Sequence, residues 1–460
     1  MHPQLENAWQ LHQSGQTAAA EAAYRAILDS APDDADALNC YGILLMQSSR
    51  VEPALAIFRR ASERLPEHSG IQSNLARAAL AVGDPATALA AAQHAIARGG
   101  GNAGTWQLFG NALKEMNRID DAIVVFADGA RHYPEDFLLH YNVAVCELMA
   151  GRADAAEKSF RKLIANRPKQ PQAWLGLGNA LAALARLEEA EAAYRHVLAS
   201  MPRLTQCWIN LGLVLVRAGR VSEAIAAFRQ ALQIEPHNQS ALAALAAVSA
   251  DDAKVLLDFT HILIDQPLVI DANGDRADFN AALAAEILGQ PVLQRDPLHK
   301  TTRGGFQTGN LAGSESPLLA VFTAALRADI ERRMDAMAQR YAAMNHPLAN
   351  SRPERWRLNL WATVLEHEGH QEPHLHPSGW LSGVYYVALP AVDATSQAGW
   401  IELGRAPAAL QFADGASGLL HQPKTGSLLT FPSYLYHRTL PHASDQPRIS
   451  LAFDVIALTQ

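Results

Sequence analysis

His374 and His376 stand one residue apart at the head of a run that continues Pro377-Ser-Gly-Trp-Leu-Ser-Gly-Val-Tyr385-Tyr386. Alternate residues of a strand face the same side, so both imidazoles can address one ion. A third histidine, His437, follows the apolar stretch 427–432, and a barrel would bring it back beside the first pair. Three imidazoles on one side leave several coordination positions open, which suits Fe(II), with zinc or copper also chemically admissible. His367, His370, His421 and His442 compete for the same role.

The elements that must position these histidines are short strands. Segments 356–365, 381–389, 399–403, 427–431 and 448–456 are rich in β-branched and aromatic residues and are separated by Gly, Pro and Asp clusters. That pattern predicts an antiparallel sandwich or barrel rather than a doubly wound parallel sheet. Ahead of them, residues 261–345 are mixed, with a long helix expected over 318–344. The glycine-rich stretch 301–310 lacks the pattern of a phosphate loop and reads as a loop, or as part of a substrate entrance. Trp356, Asn359, Trp361 and Glu402 can line the mouth of the barrel and contact substrate, the alternative being ordinary core for the tryptophans and a turn hydrogen bond for Asn359.

Residues 1–238 obey a different rule, a 34-residue period repeated seven times. Position 8 stays small (Ala8, Gly42, Ala76, Gly110, Ala144, Gly178, Gly212), and position 20 is alanine in every copy from Ala20 to Ala224. Position 24 holds Tyr24, Phe58, Ala92, Phe126, Phe160, Tyr194 and Phe228, while position 32 is proline except at Gly100. Together with Leu38, Trp106, Trp174 and Trp208 at position 4, these columns match the tetratricopeptide signature. The fold class expected is an all-α tetratricopeptide superhelix followed by an antiparallel sandwich or barrel with flanking helices, among whose forms is the double-stranded β-helix (jelly-roll, cupin-like) domain. The third repeat, with Ala92 and Gly100, should be the loosest. Such hairpins bury their apolar faces only by stacking, so the array needs a cap, for which 239–259 is the candidate. The domains predicted are 1–238 (repeats), 239–260 (cap and linker) and 261–460 (lead-in 261–350, barrel 351–460).

A chain of 460 residues exceeds one ordinary core. A net charge of −8 gives no reason to expect nucleic acid or an anionic membrane as partner. Cys40, Cys146 and Cys207 lack metal-ligand spacing and suit a reducing compartment. The first residues show no basic segment followed by an apolar run, so a cytoplasmic location is expected.

The succession of HxHP at 374–377, SGVYY at 382–386, G-x-L-x-x-FP at 426–432, His437 and R-x-S at 448–450 resembles the Fe(II)- and 2-oxoglutarate-dependent oxygenase superfamily. The resemblance covers most of the last 100 residues. It implies iron held by His374, His376 and His437, although the superfamily's usual pattern has a carboxylate where this chain has His376, leaving the site one negative charge poorer. It further implies 2-oxoglutarate anchored by Arg448 and Ser450 with help from Tyr386, and O2 as the second co-substrate, with no catalytic side chain beyond the metal site. A planar guanidinium suits that anchoring role, because it offers parallel donors to a carboxylate.

On the repeats, Asn74, Asn142 and Asn210 at position 6 and Asn111 and Asn179 at position 9 lie on first helices. They resemble the asparagine ladder of peptide-binding repeat proteins, since amides can clamp a peptide backbone from both sides of its polarity. The function expected is hydroxylation of a protein or peptide side chain recruited by the repeats. The alternatives are an oxygenase of a small molecule and a non-catalytic peptide-binding scaffold.

Overall fold

The computed structural model describes residues 2–270, 275–297, 300–391, 396–407, 410 and 418–458. Seven helical hairpins run from Pro3–Gln13 with Thr17–Ser30 to Thr205–Arg217 with Val221–Ile234, forming an all-α tetratricopeptide superhelix. All seven position-20 alanines are fully buried, which is why that column tolerates nothing larger. The small residue at position 8 meets the ring at position 24. A Cβ on Gly42 would lie 2.6 Å from the Phe58 ring, and one on Gly110 would lie 2.4 Å from Phe126. Ala92 removes that ring from the third repeat, and Ala76 occupies the small column opposite; both are fully buried. That repeat is still a complete hairpin, its second helix, Pro85–Ala97, being 13 residues long against 14 elsewhere.

Asp34, Asp84, Asn102, Asp136 and Asn238 accept a backbone N–H at the starts of helices. Each such cap is worth about 1 kcal/mol. Beyond the last hairpin, Gln239–Val248, Ala250–Leu256 and Phe259–Ile262 are helical, and every residue of the first of these except Ser240 is buried, as a cap requires. Two compact units divide the chain after Ala193; the second, Tyr194–Gln460, holds the seventh hairpin, the capping helices and the sheet.

The sheet has ten strands among the described residues: β1 (Ile264–Pro267), β2 (Gln294–Arg295), β3 (Thr302–Gln307), β4 (Trp356–His374), β5 (Leu381–Ala388), β6 (Ile401–Leu403), β7 (Leu419–His421), β8 (Ser427–Pro432), β9 (His437–Thr439) and β10 (Arg448–Ala457). Its order is β1-β8-β5-β10-β4-β9-β6-β7, with β3 on β4 and β2 on β3, every pair antiparallel. The sheet curls into a half-barrel of jelly-roll type, and its two end strands are bridged by His421 Nε2 and Asp265 Oδ2 at 3.1 Å. The His421 contact, ahead of burial, holds the Asp265 carboxyl below its ordinary range.

The long helix spans Pro317–Ala343 and is locked onto the sheet by Arg333, which is 4% exposed. Its guanidinium donates to Ile264 O and Leu428 O, both at 2.9 Å, and to Asp329 at 2.5 Å. The 301–310 stretch departs from its reading as a loop, because residues 302–307 form β3. Gly304 has φ +63, and a Cβ on Gly305 would lie 2.3 Å from Val364 O. The glycines therefore serve an irregular, bulged pairing against β4. No helix among the described residues is long and apolar enough to cross a membrane. All three cysteines are free and buried.

Candidate metal centre

His374 closes β4 and His437 opens β9, and the two are register partners across that pair. His376 lies just beyond β4, where its backbone N–H donates to Ser433 O at 3.1 Å and its carbonyl accepts from Gly379 N. One candidate ligand atom from each imidazole falls within 4.8 Å of the others. Ring centroids are 4.2 Å apart for His374 and His437, 5.0 Å for His376 and His437, and 5.2 Å for His374 and His376. The structure thus brings together the three histidines expected from sequence.

Each ring is oriented through Nδ1, leaving Nε2 for an ion. His374 Nδ1 contacts Glu372 O at 2.7 Å, His437 Nδ1 contacts Leu435 O at 3.0 Å, and His376 Nδ1 contacts the Asp454 carboxylate at 2.6 Å. Trp361 stacks over His376 at 5.5 Å. Burial, and then the neighbouring His376, pushes the His374 pKa down to about 4. His437 is driven well below its usual value by burial and by the other two imidazoles. Both are therefore neutral at pH 7, the form that ligates a metal.

A cavity of about 380 Å³ opens over the centre, lined by Asn359, Trp361, Gln307, Gln371, His374 and His376 among others. Asn359 and Trp361 thus line this cavity, and Gln307 brings β3 into its wall. Glu402 does not line it. It is the register partner of Arg438, whereas its neighbours Leu403 and Ile401 pair with His437 and Thr439 on the metal side. Glu402 therefore faces the other way, 5% exposed, and is neutralised by Arg438 at 2.5 Å and Arg405 at 3.2 Å. Trp356 lies at the far end of β4, its indole donating to Glu331 at 2.7 Å.

Behind the histidines a second, inner cavity is lined by Thr363, Gln371, Ala452, Ser450 and Arg448 as well as the triad. Arg448 is 1% exposed, donates to Gly399 O at 3.2 Å and Ser450 Oγ at 3.3 Å, and sits 5.1 Å over the Tyr386 ring. No carboxylate pairs with it among the described residues, and burial lowers its pKa. Ser450 is flanked in register by Thr363 on β4 and Tyr386 on β5, so three hydroxyls form one row. The buried Thr363 hydroxyl has no partner, and that of Tyr386 lies beside the guanidinium without a well-formed hydrogen bond. Burial raises the Tyr386 pKa, keeping the phenol protonated. Tyr385 points to the opposite face and donates to Asn280 at 2.8 Å. Thr363, Gln371 and Asp454 escaped the sequence reading, although each shares strand parity, or a neighbouring strand end, with a residue that was found.

Among the repeat asparagines, Asn74 donates to Asn39 at 2.9 Å and accepts from Arg77 at 3.2 Å, and Asn210 accepts from Gln206 at 2.7 Å. Asn111, Asn142 and Asn179 are half-buried. Asn111 and Asn142 have no side-chain hydrogen bond among the described residues.

Residues 359–454 match the sequence model of the family described as "Putative 2OG-Fe(II) oxygenase". Tetratricopeptide repeat models match residues 5–69, 107–171, 147–208 and 205–238, passing over most of the third repeat. The chain therefore consists of an N-terminal tetratricopeptide region fused to a C-terminal domain of 2OG-Fe(II) oxygenase type. No curated protein matches the chain. Similar solved structures include a tetratricopeptide repeat protein from Parabacteroides merdae (16% identity, 50% of this chain, 91% of that one, TM-score 0.43). Others are Pseudomonas aeruginosa pilF (19%, 45% and 94%, TM-score 0.38) and MamA from Desulfovibrio magneticus (20%, 36% and 94%, TM-score 0.34).

Proposed function

From a tetratricopeptide region joined to a domain of 2OG-Fe(II) oxygenase type, we propose that the protein is an Fe(II)- and 2-oxoglutarate-dependent dioxygenase that hydroxylates a protein or peptide side chain recruited by its repeats. The observation that carries this reading is Arg448: a buried cation without a carboxylate partner among the described residues, in a cavity shared with three imidazoles and a row of hydroxyls. A dicarboxylate that ligates a metal at one end and needs a cationic anchor at the other fits that donor set. The functional division taken is repeats to residue 238, a cap to 260 and the oxygenase domain beyond.

His374, His376 and His437 would hold the iron through Nε2. Arg448, Ser450 and Thr363 would take the distal carboxylate of 2-oxoglutarate, with the Tyr386 phenol as a further donor. Between these ends the small side chain of Ala452, register partner of Trp361 and Val384, leaves space for an aliphatic chain. When bound, Fe(II) with 2-oxoglutarate and O2 supplies the oxidant that inserts one oxygen atom into a substrate C–H bond, with succinate and carbon dioxide as co-products. The protein contributes orientation and exclusion of water. Asn359, Gln307 and Gln371 present neutral donors and acceptors at the outer cavity, where the substrate group must enter.

Recruitment and chemistry on one chain act at high effective concentration, so a repeat groove of modest affinity suffices. Asn111 and Asn142 are the amides best placed to bind backbone, whereas Asn74 and Asn210 already have partners within the array. The test is succinate formation by the full chain with Fe(II), ascorbate and 2-oxoglutarate, with and without a proteome digest or intact extract proteins. Stimulation by polypeptide that falls when Asn111 and Asn142 are replaced by Ala supports the reading. Turnover stimulated by metabolites alone supports a small-molecule oxygenase instead.

A further inference from the structure

We propose that Asp454 is a positioning residue for the metal centre: it holds His376 in the tautomer that presents Nε2, and it returns to the centre the negative charge that a histidine at position 376 leaves out. The inference rests on the metal-centre reading and deepens it. His374 and His437 direct Nδ1 to backbone carbonyls, but His376 directs Nδ1 to a carboxylate, Asp454 Oδ1, at 2.6 Å. A carboxylate behind a ligating imidazole fixes the ring and raises its basicity as a ligand.

Asp454 is itself held by a closed circuit. Its Oδ1 also accepts from Ser382 Oγ at 2.7 Å, and Ser382 Oγ lies 2.8 Å from Ser433 Oγ. Since the Ser382 hydroxyl donates to the carboxylate, the Ser433 hydroxyl donates to Ser382. Ser433 O in turn accepts the backbone N–H of His376 at 3.1 Å, so the circuit begins and ends on the same histidine. Ser433 is fully buried, Ser382 1% exposed and Asp454 8% exposed, so water competes little for these bonds. Gly379 belongs to the same arrangement, because a Cβ there would lie 2.4 Å from Ser433 Oγ. With Trp361 stacked on one face of the His376 ring and Asp454 fixing its edge, neither rotation nor the other tautomer is available without breaking the circuit. The strand register accounts for the placement: Asp454 pairs with Ser382 on β5 and Asn359 on β4. The carboxylate is thus present but moved one residue outward, and the ion would meet three neutral nitrogens with an anion hydrogen-bonded behind one of them.

The experiment measures Co(II) and Zn(II) affinity of the full chain by competition with a chromophoric chelator, together with the Co(II) visible spectrum. Asp454→Asn keeps the shape and removes the charge. It should weaken both metals by about 10- to 100-fold and shift the Co(II) bands. In a His376→Asp background the same change should leave affinity unchanged or improve it, because two carboxylates would then face each other. A purely structural role for Asp454 would instead lower affinity in both backgrounds and leave the spectrum alone, which would overturn the proposal. So would a parent-background affinity within about threefold of the original. If Asp454→Asn does not fold, Ser382→Ala and Ser433→Ala break the circuit one and two bonds further out. A graded loss then supports the proposal, and no loss overturns it. Failure of the underlying reading is separable: His374→Ala without effect on Co(II) affinity overturns the centre itself, and the proposal with it. Loss in His374→Ala but none in Asp454→Asn overturns only the role of Asp454.

Discussion

Arg448→Ala is the substitution that most sharply separates a co-substrate anchor from a buried structural cation. In the free protein the guanidinium is 1% exposed, bonded to Gly399 O and Ser450 Oγ, and without a counter-charge among the described residues; its lowered pKa reflects that desolvation. Truncation removes an unpaired buried charge, so the stability lost to the cavity is partly offset by the desolvation relieved. With 2-oxoglutarate bound, the same truncation strands a carboxylate, at a cost of about 2 to 5 kcal/mol. That corresponds to a loss of affinity of roughly thirtyfold or more. The assay is calorimetric titration of 2-oxoglutarate in the presence of Co(II), which prevents turnover, paired with thermal unfolding. A ligand at 100 times the parent Kd adds about 2.7 kcal/mol of stability, and at the same concentration a thirtyfold weaker variant gains only about 0.9 kcal/mol. Lysine keeps the charge but loses the planar fork, so Arg448→Lys should recover part of the affinity. A Kd for the Ala variant within about threefold of the parent would refute the assignment.

Replacing His374 or His437 by Ala should abolish Co(II) and Fe(II) binding while the helical signal of the repeats persists, whereas His376→Asp should retain metal; the check is metal content after dialysis. Ala452→Leu should fill the middle of the inner cavity and weaken 2-oxoglutarate binding at least tenfold with metal affinity unchanged, as measured by the same titrations. For pH, His374 and His346 have folded pKa values pushed down to about 4 by burial, below the unfolded value near 6.5. The unfolded chain therefore binds protons that the folded chain refuses. Stability of the metal-free protein is complete above pH 6.5 and falls as pH drops towards 4, which a Tm series across that range will show.

The repeats were legible because a period of 34 residues fixes many columns at once, and the burial of every position-20 alanine follows from that column alone. His374 and His376 were legible because strand alternation puts neighbours-but-one on one face, whereas Arg448 was legible only through the resemblance of the R-x-S motif at 448–450, since an arginine alternating with a serine on a strand is by itself an ordinary surface pair. What escaped is set by register between strands distant in sequence. Asp454 lies 78 residues from His376, and only the pairing of β10 with β4 and β5 brings them together. Glu402 was placed at the barrel mouth for the same reason in reverse, since the β6–β9 register that turns it towards Arg438 leaves no trace in local sequence. The glycines of 302–307 hid a strand, because a bulged pairing uses the residues that otherwise signal a loop. Strands as short as β9, with three residues, fall below the length at which alternation can be read.

Coupling of 2-oxoglutarate decarboxylation to hydroxylation of a polypeptide, as proposed for this half-barrel, is read out by isotope tracing with 18O2. The full chain, supplied with Fe(II), ascorbate, 2-oxoglutarate and extract proteins, should place one atom of 18O in succinate and the other in a protein side chain, in equal amounts, and His437→Ala should do neither. Labelled succinate without any labelled polypeptide would contradict the protein-hydroxylase account. The absence of labelled succinate from a folded, iron-loaded chain would contradict the oxygenase itself.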